Sequence, residues 1–278
     1  EKMLLNFGKS NYLSKALQQP EKVKAVLDKI KNDGIFNTAS SVFNKLNEPI
    51  PLGYCNVGTV IKVGNGVSGF KIGDRVVSNG HHAEIVSVPV NLCAKIPNQV
   101  SDYDAVFTVL GAIGLQGIRL AAPVVGERIC VIGMGLIGLI TAQILKAQGC
   151  QVLVADLDTE RLKIARGLNL DVLNIKSKVN IINFSKKYTD YNDFDSCIIT
   201  ASSNDSSSID TAAKITRKRG KIILIGTADI KLSRDIFYNK ELIFQVSCSY
   251  GPGRYDANYE EKGIDYPISY VRWTEKRN

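Results

Sequence analysis

Residues 128–156 read RICVIGMGLIGLITAQILKAQGCQVLVAD. The stretch begins with a continuous apolar run, passes through a glycine-rich turn into a segment with helical spacing of apolar residues, and ends in a second apolar run. Continuous apolar runs are typical of strands that are buried on both faces of a parallel sheet. The stretch therefore predicts a strand, a tight turn, a helix and a second strand.

The turn in this stretch has the spacing GxGxxG and lies between the strand and the helix. Gly133 allows the tight turn, Gly135 lets the backbone approach a pyrophosphate, and Gly138 lets the helix pack closely on the strand. The free N–H groups at the start of the helix then face the phosphates. We predict a dinucleotide site that comprises Gly133, Met134, Gly135, Leu136, Ile137 and Gly138; the alternative is a glycine-rich connection that binds nothing.

Asp156 stands at the end of the second strand, 18 residues after Gly138. A carboxylate at this place accepts hydrogen bonds from the adenosine ribose hydroxyls and repels a 2′-phosphate, which predicts NAD(H) over NADP(H). Leu157 and Arg161 are included in the predicted site, although an arginine here can also accommodate a phosphate. The alternative for Asp156 is a cap of the following helix.

The same alternation continues along the chain and predicts an α/β fold with a doubly wound parallel sheet. The predicted strands are FDSCIITAS (194–202), KIILIG (221–226) and LIFQVSC (242–248), and the predicted helices cover 159–168 and 207–220. We interpret the basic run Arg217, Lys218, Arg219 and Lys221 as the solvated end of the helix at 207–220.

The N-terminal part has a different sequence pattern. Helices are predicted at 20–34 and 38–46 from apolar spacing. From residue 53 to residue 97 short strand-like runs alternate with glycine turns and predict a small β-barrel or sandwich. These runs are VGTVIKVG (57–64), GDRVV (73–77), HAEIVSVP (82–89) and LCAKIP (92–97).

Composition limits the class of protein. The length of 278 residues predicts two domains, and the net charge of +8 suits an anionic partner or a lysine-rich surface. The basic residues are scattered, so we expect no nucleic-acid partner. The uncharged run from Ile129 to Leu145 is too short and too rich in glycine for a membrane helix. No secretory leader is visible, and six cysteines without a CxxC pair predict a cytoplasmic protein.

The β-rich part with its GDRV turn, the dinucleotide part and the return segment together resemble the medium-chain dehydrogenase/reductase family over nearly the whole chain. Four stretches resemble more closely a bacterial subgroup of surface-polysaccharide pathways, in which this module commonly precedes a second oxidoreductase domain. They are PLGYCNVGTVIKVG (51–64), NLCAKIP (91–97), FTVLGAIGLQGIRLA (107–121) and SYGPGRYDANYEEKGIDYPISYVRWTEKRN (249–278).

This resemblance implies a GroES-like catalytic domain at 1–108 with a helical insertion at about 9–48, a Rossmann domain at 109–248, and a return segment at 249–278. It also implies that the first strands of the catalytic domain precede Glu1, and that a C-terminal oxidoreductase domain is absent from this chain. A homo-oligomer is a further expectation, with the segment at 9–48 either covering the cleft or making that contact.

The family's catalytic zinc is held in part by the His of a Gly-His-Glu stretch and by a Cys in the helix that enters the Rossmann domain. Here Tyr54 stands at the His position, Cys55 at the Glu position and Ala112 at the Cys position. The four-cysteine loop that binds structural zinc is missing. Because a catalytic zinc site needs three protein ligands, we expect no metal.

Without zinc, a hydroxyl or an imidazole must hydrogen-bond the substrate oxygen on the carbon that gains or loses the hydride. Tyr54 is the first candidate, since it occupies the metal's neighbourhood; the alternative is that it fills the space. His82 is the second candidate. The alternative for His81 and His82 is a solvent-facing pair at the start of a strand.

The resemblance places Gln116 beside the nicotinamide, and it places further contacts with the cofactor at the ends of the strands: Thr200, Ala201, Ile225, Gly226, Thr227 and Ser247. In the tail, Arg254 can bind a phosphate or carboxylate, and Tyr250, Tyr255 and Tyr259 can pack on a sugar face. The alternative for the tail is a structured loop held by its aromatic residues.

The function that we expect is zinc-independent, NAD(H)-dependent hydride transfer to or from an anionic or sugar-like alcohol or ketone, such as a nucleotide sugar, in surface-polysaccharide metabolism. One alternative is a quinone or enone reductase of the zinc-free branch, although those enzymes usually prefer NADPH. A second alternative is a non-catalytic NAD-binding module of a larger protein.

Overall fold

The structure is a computed structural model that describes Lys9, Val23, Val26, residues 51–176 and residues 178–278. Two compact units are present. One contains the described residues up to Asn56 together with Asn79–Ser87, and the other contains Val57–Ser78 with Val88–Asn278. The helices predicted at 20–34 and 38–46, and the insertion at 9–48, lie outside the described residues except for Lys9, Val23 and Val26, which are helical.

A small three-stranded sheet forms from part of the predicted β-rich region. Its strands are β1 (Asn56–Thr59), β2 (Arg75–Ser78) and β3 (Cys93–Lys95), in the order β1-β2-β3. The prediction of a strand at 82–89 is wrong, because these residues form bends and irregular backbone. None of residues 82–89 is fully buried, and the side chain of Ile85 is 72% exposed, so the apolar alternation there buries too little surface to stabilise a strand.

A six-stranded parallel sheet forms the centre of the second unit, in the order β6-β5-β4-β7-β8-β9. Its strands are β4 (Arg128–Ile132), β5 (Gln151–Asp156), β6 (Asp171–Asn174), β7 (Phe194–Ile199), β8 (Thr216–Leu224) and β9 (Ile243–Val246). The doubly wound sheet is confirmed. The direction of winding reverses between β4 and β7, and ligands of such sheets bind outside the carboxyl ends of the strands at this point.

Helices cover both faces of this sheet, because each strand buries side chains on both sides. Ile129 and Val131 of β4 join one apolar cluster, whereas Cys130 and Ile132 join the other. The helices are α1 (Asp102–Ala105), α2 (Thr108–Ala121), α3 (Leu136–Ala147), α4 (Thr159–Gly167), α5 (Lys178–Tyr188), α6 (Ser207–Ile215), α7 (Arg234–Lys240) and α8 (Ala257–Glu260). In the described parts of the chain, none is long and apolar enough to cross a membrane.

Two cysteines lie side by side in the centre of the sheet. Cys130 on β4 and Cys197 on β7 are register partners, and both are completely buried. The hydroxyl of Thr216 donates a hydrogen bond to the Cys197 sulfur at 3.1 Å. The neighbouring Cys197 thiol and burial hold the pKa of Cys130 well above its usual value, and both residues are free thiols. These cysteines therefore act as small apolar core residues.

The basic run from Arg217 to Lys221 does not end a helix, so that interpretation is wrong. Helix α6 ends at Ile215, and β8 begins with the next residue. Tertiary contacts override the helical pattern: the Arg217 guanidinium pairs with Asp195 at 2.7 Å. The Lys221 ammonium donates to the Ala121 carbonyl at 2.8 Å.

The C-terminal end of α6 is instead satisfied by a lysine from α7. The ammonium of Lys240 donates hydrogen bonds to three backbone carbonyls, those of Ala213 (3.1 Å), Lys214 (2.8 Å) and Thr216 (2.7 Å). The last carbonyls of a helix have no partner within the helix, and a cation there also complements the helix dipole. Lys240 therefore ties α7 to the end of α6.

Replacing Lys240 by alanine should lower the free energy of unfolding by about 1–3 kcal/mol, because three carbonyls lose a charged donor. Urea unfolding of the purified protein measures this loss. Lys218→Ala is the matched control, since Lys218 is exposed and its loss should change stability by less than about 0.5 kcal/mol. Equal unfolding midpoints for Lys240→Ala and the parent would contradict the prediction.

Candidate functional site

The glycine-rich turn follows β4 as predicted, and two of its glycines are required by close contacts. Gly133 has φ 105°, and a Cβ there would lie 2.5 Å from the backbone nitrogen of Ala201. A Cβ at Gly138 would lie 1.9 Å from the Gly133 carbonyl oxygen. Side chains at either position would push α3 and the β7 end away from β4.

Gly135 differs from these two glycines, because its surroundings are open. Its φ is −71°, and a Cβ there would meet no atom within 4 Å. Gly135 precedes the first residue of α3, whose first turn contains no acidic residue and receives no side-chain cap. Free N–H groups and open space therefore coincide, which is the arrangement that an anion at a helix N-terminus requires.

Asp156 ties the turn to the end of β5. Its side chain is buried, with an exposed fraction of 8%. One carboxylate oxygen accepts from the Met134 N–H at 2.5 Å and the other from the Asp158 N–H at 2.8 Å. The alternative role of Asp156 as a helix cap is wrong, since Asp158 caps α4 by accepting from Glu160 and Arg161. Arg161 also lies 3.8 Å from the Asp156 carboxylate.

Residues after β7 and β8 converge on this turn. The Thr200 hydroxyl donates to the Gly133 carbonyl at 2.6 Å. Gly226 is so close to the Ala201 carbonyl that a Cβ there would lie 2.0 Å from its oxygen. The Thr227 hydroxyl is hydrogen-bonded to Ser202 at 2.7 Å. The carboxyl edge of the sheet therefore brings these predicted residues together around the glycine-rich turn.

The remaining predicted contacts lie on α2, after β5, after β8 and after β9. Ile225 packs against α2, and Leu157 is 60% exposed. Gln116 is buried, and its amide oxygen accepts from the Asn278 side chain at 3.2 Å. Ser247 is also buried, and within the described chain its hydroxyl has no hydrogen-bond partner. Sequence reasoning missed Asn278, which gives no local signal because it is separated from Gln116 by 162 residues.

The two predicted proton-handling residues lie in the first compact unit. Gly53 has φ 88°, and a Cβ there would lie 2.2 Å from the His82 ring. The His82 N–H donates to the Leu52 carbonyl at 2.8 Å, and His81 Nδ1 lies 3.0 Å from the Gly53 carbonyl. The loop that carries Tyr54 therefore packs on the loop that carries His82. Both histidines are exposed, which agrees with the solvent-facing alternative, but no strand begins at them.

The donor set at the family's zinc positions does not fit a zinc ion. Tyr54 is 39% exposed, Cys55 is half-buried, and Ala112 is a buried residue of α2. Across residues 51–176 and 178–278, no group of three or more His, Cys, Asp or Glu side chains could hold a metal. Thiolates, imidazoles and carboxylates are the protein ligands that zinc uses.

The tail after β9 holds Arg254 in a cluster of its own residues. The guanidinium pairs with Glu260 at 2.5 Å and lies 4.2 Å from the centre of the Tyr255 ring and 5.5 Å from that of Tyr250. Its Nε is buried and has no partner in the described structure. Glu260 therefore already pairs with Arg254, and the binding of a phosphate or carboxylate by this guanidinium stays a prediction.

Glu275 lies beside this ion pair and was missed from the sequence. It is 7% exposed, and within the described chain neither carboxyl oxygen receives a hydrogen bond from a donor group. Burial, and after it the charge of Glu260, raise the pKa of Glu275 to about 8, although Arg254 acts in the opposite direction. The stretch WTEKRN (273–278) is rich in charge and polar groups, so it gives no signal of burial.

Tyr259 holds the tail in place and does not face a ligand. Its ring is fully buried, and its hydroxyl donates to Thr274 at 2.9 Å and accepts from the Lys276 N–H at 3.2 Å. The Asn91 amide donates to the Tyr259 carbonyl. The prediction that Tyr259 packs on a sugar face is therefore wrong, and its alternative, a loop held by aromatic residues, describes this residue.

The raised pKa of Glu275 predicts a pH dependence of stability. A carboxyl whose pKa is about 8 in the folded chain and near 4.5 in the unfolded chain disfavours folding as pH rises through this range. Glu275→Gln cannot ionise, so it should be more stable than the parent at about pH 9 and lose this advantage near pH 5. Urea unfolding at both pH values tests this. Glu261→Gln, at an exposed carboxylate, is the control; a pH-independent difference for Glu275→Gln would contradict the prediction.

Two family models together match most of the chain. The model of the alcohol dehydrogenase GroES-like domain matches residues 26–131, and the model of the zinc-binding dehydrogenase matches residues 137–264. The chain belongs to the medium-chain dehydrogenase/reductase family, which confirms the resemblance seen in the sequence, and it is an oxidoreductase of this dinucleotide-binding type.

Similar proteins include dehydrogenases and reductases. The uncharacterized zinc-type alcohol dehydrogenase-like protein YdjJ of Escherichia coli is 25% identical over 77% of this chain and 71% of its own length. The probable D-xylulose reductase A of Neosartorya fischeri is 23% identical over 76% of this chain and 69% of its own length.

Solved structures share the fold. Galactitol-1-phosphate dehydrogenase of Escherichia coli has a TM-score of 0.65 at 21% identity, over 74% of this chain and 70% of the other. A mycobacterial protein complexed with NADPH has a TM-score of 0.64 at 21% identity, over 78% of this chain and 70% of the other.

Proposed function

We propose that the chain is a zinc-independent, NAD(H)-dependent oxidoreductase. It moves a hydride to or from an oxygen-bearing carbon of a sugar-like alcohol or ketone, in surface-polysaccharide metabolism. The observation that carries the proposal is the pairing of an open glycine, Gly135, at the start of α3 with a buried carboxylate, Asp156, at the end of β5. The sugar-like substrate rests on the names of the relatives and on the exposed ring of Tyr255 in the tail.

The turn would bind the pyrophosphate through the free N–H groups at the start of α3. When bound, NAD(H) supplies or accepts the hydride. Both oxygens of Asp156 already accept a backbone N–H, but each retains a lone pair for a ribose hydroxyl. Its negative charge would repel a 2′-phosphate. Arg161 opposes this preference, since it lies 3.8 Å from the carboxylate.

Oxidation of an alcohol releases a proton as well as a hydride, so the enzyme needs a group that takes the proton. Tyr54 would hydrogen-bond the reacting oxygen, and its hydroxyl would act as the donor in the reductive direction. His82 would be the alternative acceptor of the proton, since imidazole titrates near neutral pH. Their loops lie in contact within the first unit.

The first test is a fluorescence titration of the purified chain with NADH and, separately, with NADPH. Tighter binding of NADH supports the proposal and justifies a turnover screen with sugar alcohols and nucleotide sugars. Tighter binding of NADPH would favour the quinone or enone reductase. Binding of NADH without turnover of any of these substrates would favour the non-catalytic module, and binding of neither dinucleotide would overturn the proposal.

Metal analysis tests the zinc-independent part of the proposal. Tyr54 and Ala112 supply no metal ligand at two family positions, so the chain should hold well under one zinc per molecule after dialysis. Turnover, once found, should resist a chelator. A stoichiometric zinc ion that survives dialysis would show that other residues complete a metal site.

A further inference from the structure

We propose that two arginines stacked on one tryptophan form an anion site for a small ligand that carries two acidic groups on a short carbon linker. The arginines are Arg119, in the last turn of α2, and Arg272, in the tail, and the tryptophan is Trp273. The site uses none of the residues of the glycine-rich turn, and it gives part of the net charge of +8 a ligand.

The indole ring of Trp273 lies between two guanidinium groups. The guanidinium carbon of Arg119 lies 3.4 Å from the centre of the ring, and that of Arg272 lies 4.0 Å from it. Two planar guanidinium groups so close to one ring centre would overlap on a single face, because non-bonded carbon atoms rest about 3.5–4.0 Å apart. They therefore lie on opposite faces, and their carbons are no further apart than the sum of the two distances.

These two positive charges lack a carboxylate partner among the described residues. By contrast, Arg277 of the same tail pairs with Asp265 at 2.6 Å. Burial, and after it the charge of Arg272, lower the pKa of Arg119. Two like charges are thus held close together without local compensation, and a bound anion would supply that compensation.

Arg119 is already oriented for binding. Its Nε donates to the Asn278 side chain at 2.6 Å, and the Asn278 amide in turn donates to the Tyr250 carbonyl at 2.8 Å and to Gln116 at 3.2 Å. The N–H groups on the two terminal nitrogens of Arg119 have no acceptor within the described structure. They form the planar fork that matches the oxygens of a carboxylate or a phosphate, so little ordering remains to be done when a ligand binds.

The ring between the guanidinium groups decides the class of ligand. A single compact anion such as acetate pairs with one guanidinium only, because the indole separates it from the other. Two acidic groups on a short linker can pass around the edge of the ring and pair with both. Trp273 is only half-buried and Arg272 is exposed, so a dissolved ligand can reach them.

Fluorescence titration tests the proposal, because Trp273 is the only tryptophan of the chain and reports on the site directly. The ligands are citrate with acetate, and fructose 1,6-bisphosphate with fructose 6-phosphate, all at constant ionic strength. In at least one pair, we expect the ligand with more acidic groups to bind at least about tenfold more tightly than its single-group partner. The pair that shows this difference identifies the acidic groups as carboxylates or as phosphates.

Three variants locate the binding. Arg272→Gln removes a cation from an exposed position, so it should fold like the parent and bind the preferred ligand about tenfold or more weakly. Arg166→Gln, at an exposed arginine of α4, changes the net charge equally and should bind like the parent. Arg119→Lys keeps the charge but lacks the fork, so it should also bind more weakly.

Equal affinity for the two members of both pairs would overturn the proposal, and so would unchanged binding by Arg272→Gln. A loss of binding in Gly135→Ala but not in Arg272→Gln would place the anion at the glycine-rich turn and would also overturn it. The absence of any saturable change in fluorescence, together with the absence of binding heat in calorimetry, would have the same meaning.

Discussion

Replacing Gly138 by alanine should destabilise the dinucleotide-binding unit by about 3 kcal/mol and abolish detectable NADH binding. The added Cβ would lie 1.9 Å from the Gly133 carbonyl and 2.7 Å from the Thr200 hydroxyl. Backbone cannot move aside as a flexible side chain can, so α3 must shift away from β4. Urea unfolding and NADH fluorescence titration measure the two effects.

Gly135→Ala is the matched control, because it should weaken NADH binding without lowering the stability of the unit. Its φ of −71° suits alanine, and the new methyl group would meet no protein atom within 4 Å. Unfolding should therefore be unchanged or slightly more difficult, by less than about 1 kcal/mol. The methyl group would nevertheless occupy the space through which a pyrophosphate approaches the backbone, so NADH affinity should fall by about tenfold or more. Normal NADH binding by Gly135→Ala would show that this turn is not the phosphate site.

Replacing Asp156 should change both stability and the choice of dinucleotide. Asp156→Ala leaves the N–H groups of Met134 and Asp158 without their acceptor, at a cost of about 1–3 kcal/mol. It also removes the predicted ribose contact, so NADH affinity should fall by about tenfold or more.

Asp156→Asn is the more informative partner variant. An amide oxygen can still accept one of the two N–H groups, so the loss of stability should be smaller than for alanine. The charge that repels a 2′-phosphate is gone, and Arg161, now 3.8 Å from a neutral group, is available to a phosphate. Paired titrations should therefore show the NADPH-to-NADH affinity ratio rising. An unchanged ratio would mean that Asp156 holds the turn but does not select the dinucleotide.

The features that sequence analysis predicted correctly are local ones. The turn at 133–138 and Asp156 lie within one strand-helix-strand stretch, and so does the close contact between Gly138 and the Gly133 carbonyl. Neighbouring patterns are less specific. The alternation at 82–89 is typical of a strand, but none of these residues is fully buried. Residues 216–220 continue the helical pattern of the sequence, but they form the start of β8, because Arg217 pairs with Asp195.

The features that the sequence did not predict depend on distant contacts or on weak patterns. Strand β6 and helix α5 lie in a polar stretch with scattered apolar residues, so neither periodicity stands out. The hydrogen bond between Asn278 and Gln116 joins residues that are 162 positions apart in the chain. The burial of Glu275 arises because the tail folds back on itself, with the Glu275 N–H bonded to the Pro252 carbonyl. No short window of sequence contains both partners of such contacts.

The buried cysteine pair of β4 and β7 gives this protein a built-in reporter of cooperative opening. Alkylating reagents require a thiolate that they can reach, and Cys130 is both sealed from solvent and held in its thiol form. Cys248, by contrast, is exposed and should react at once. The rate of the slow phase of alkylation would then measure how often the strands at the centre of the sheet separate. If NADH slows this phase, the change in rate measures how strongly cofactor binding opposes the separation of the strands, and no engineered label is needed.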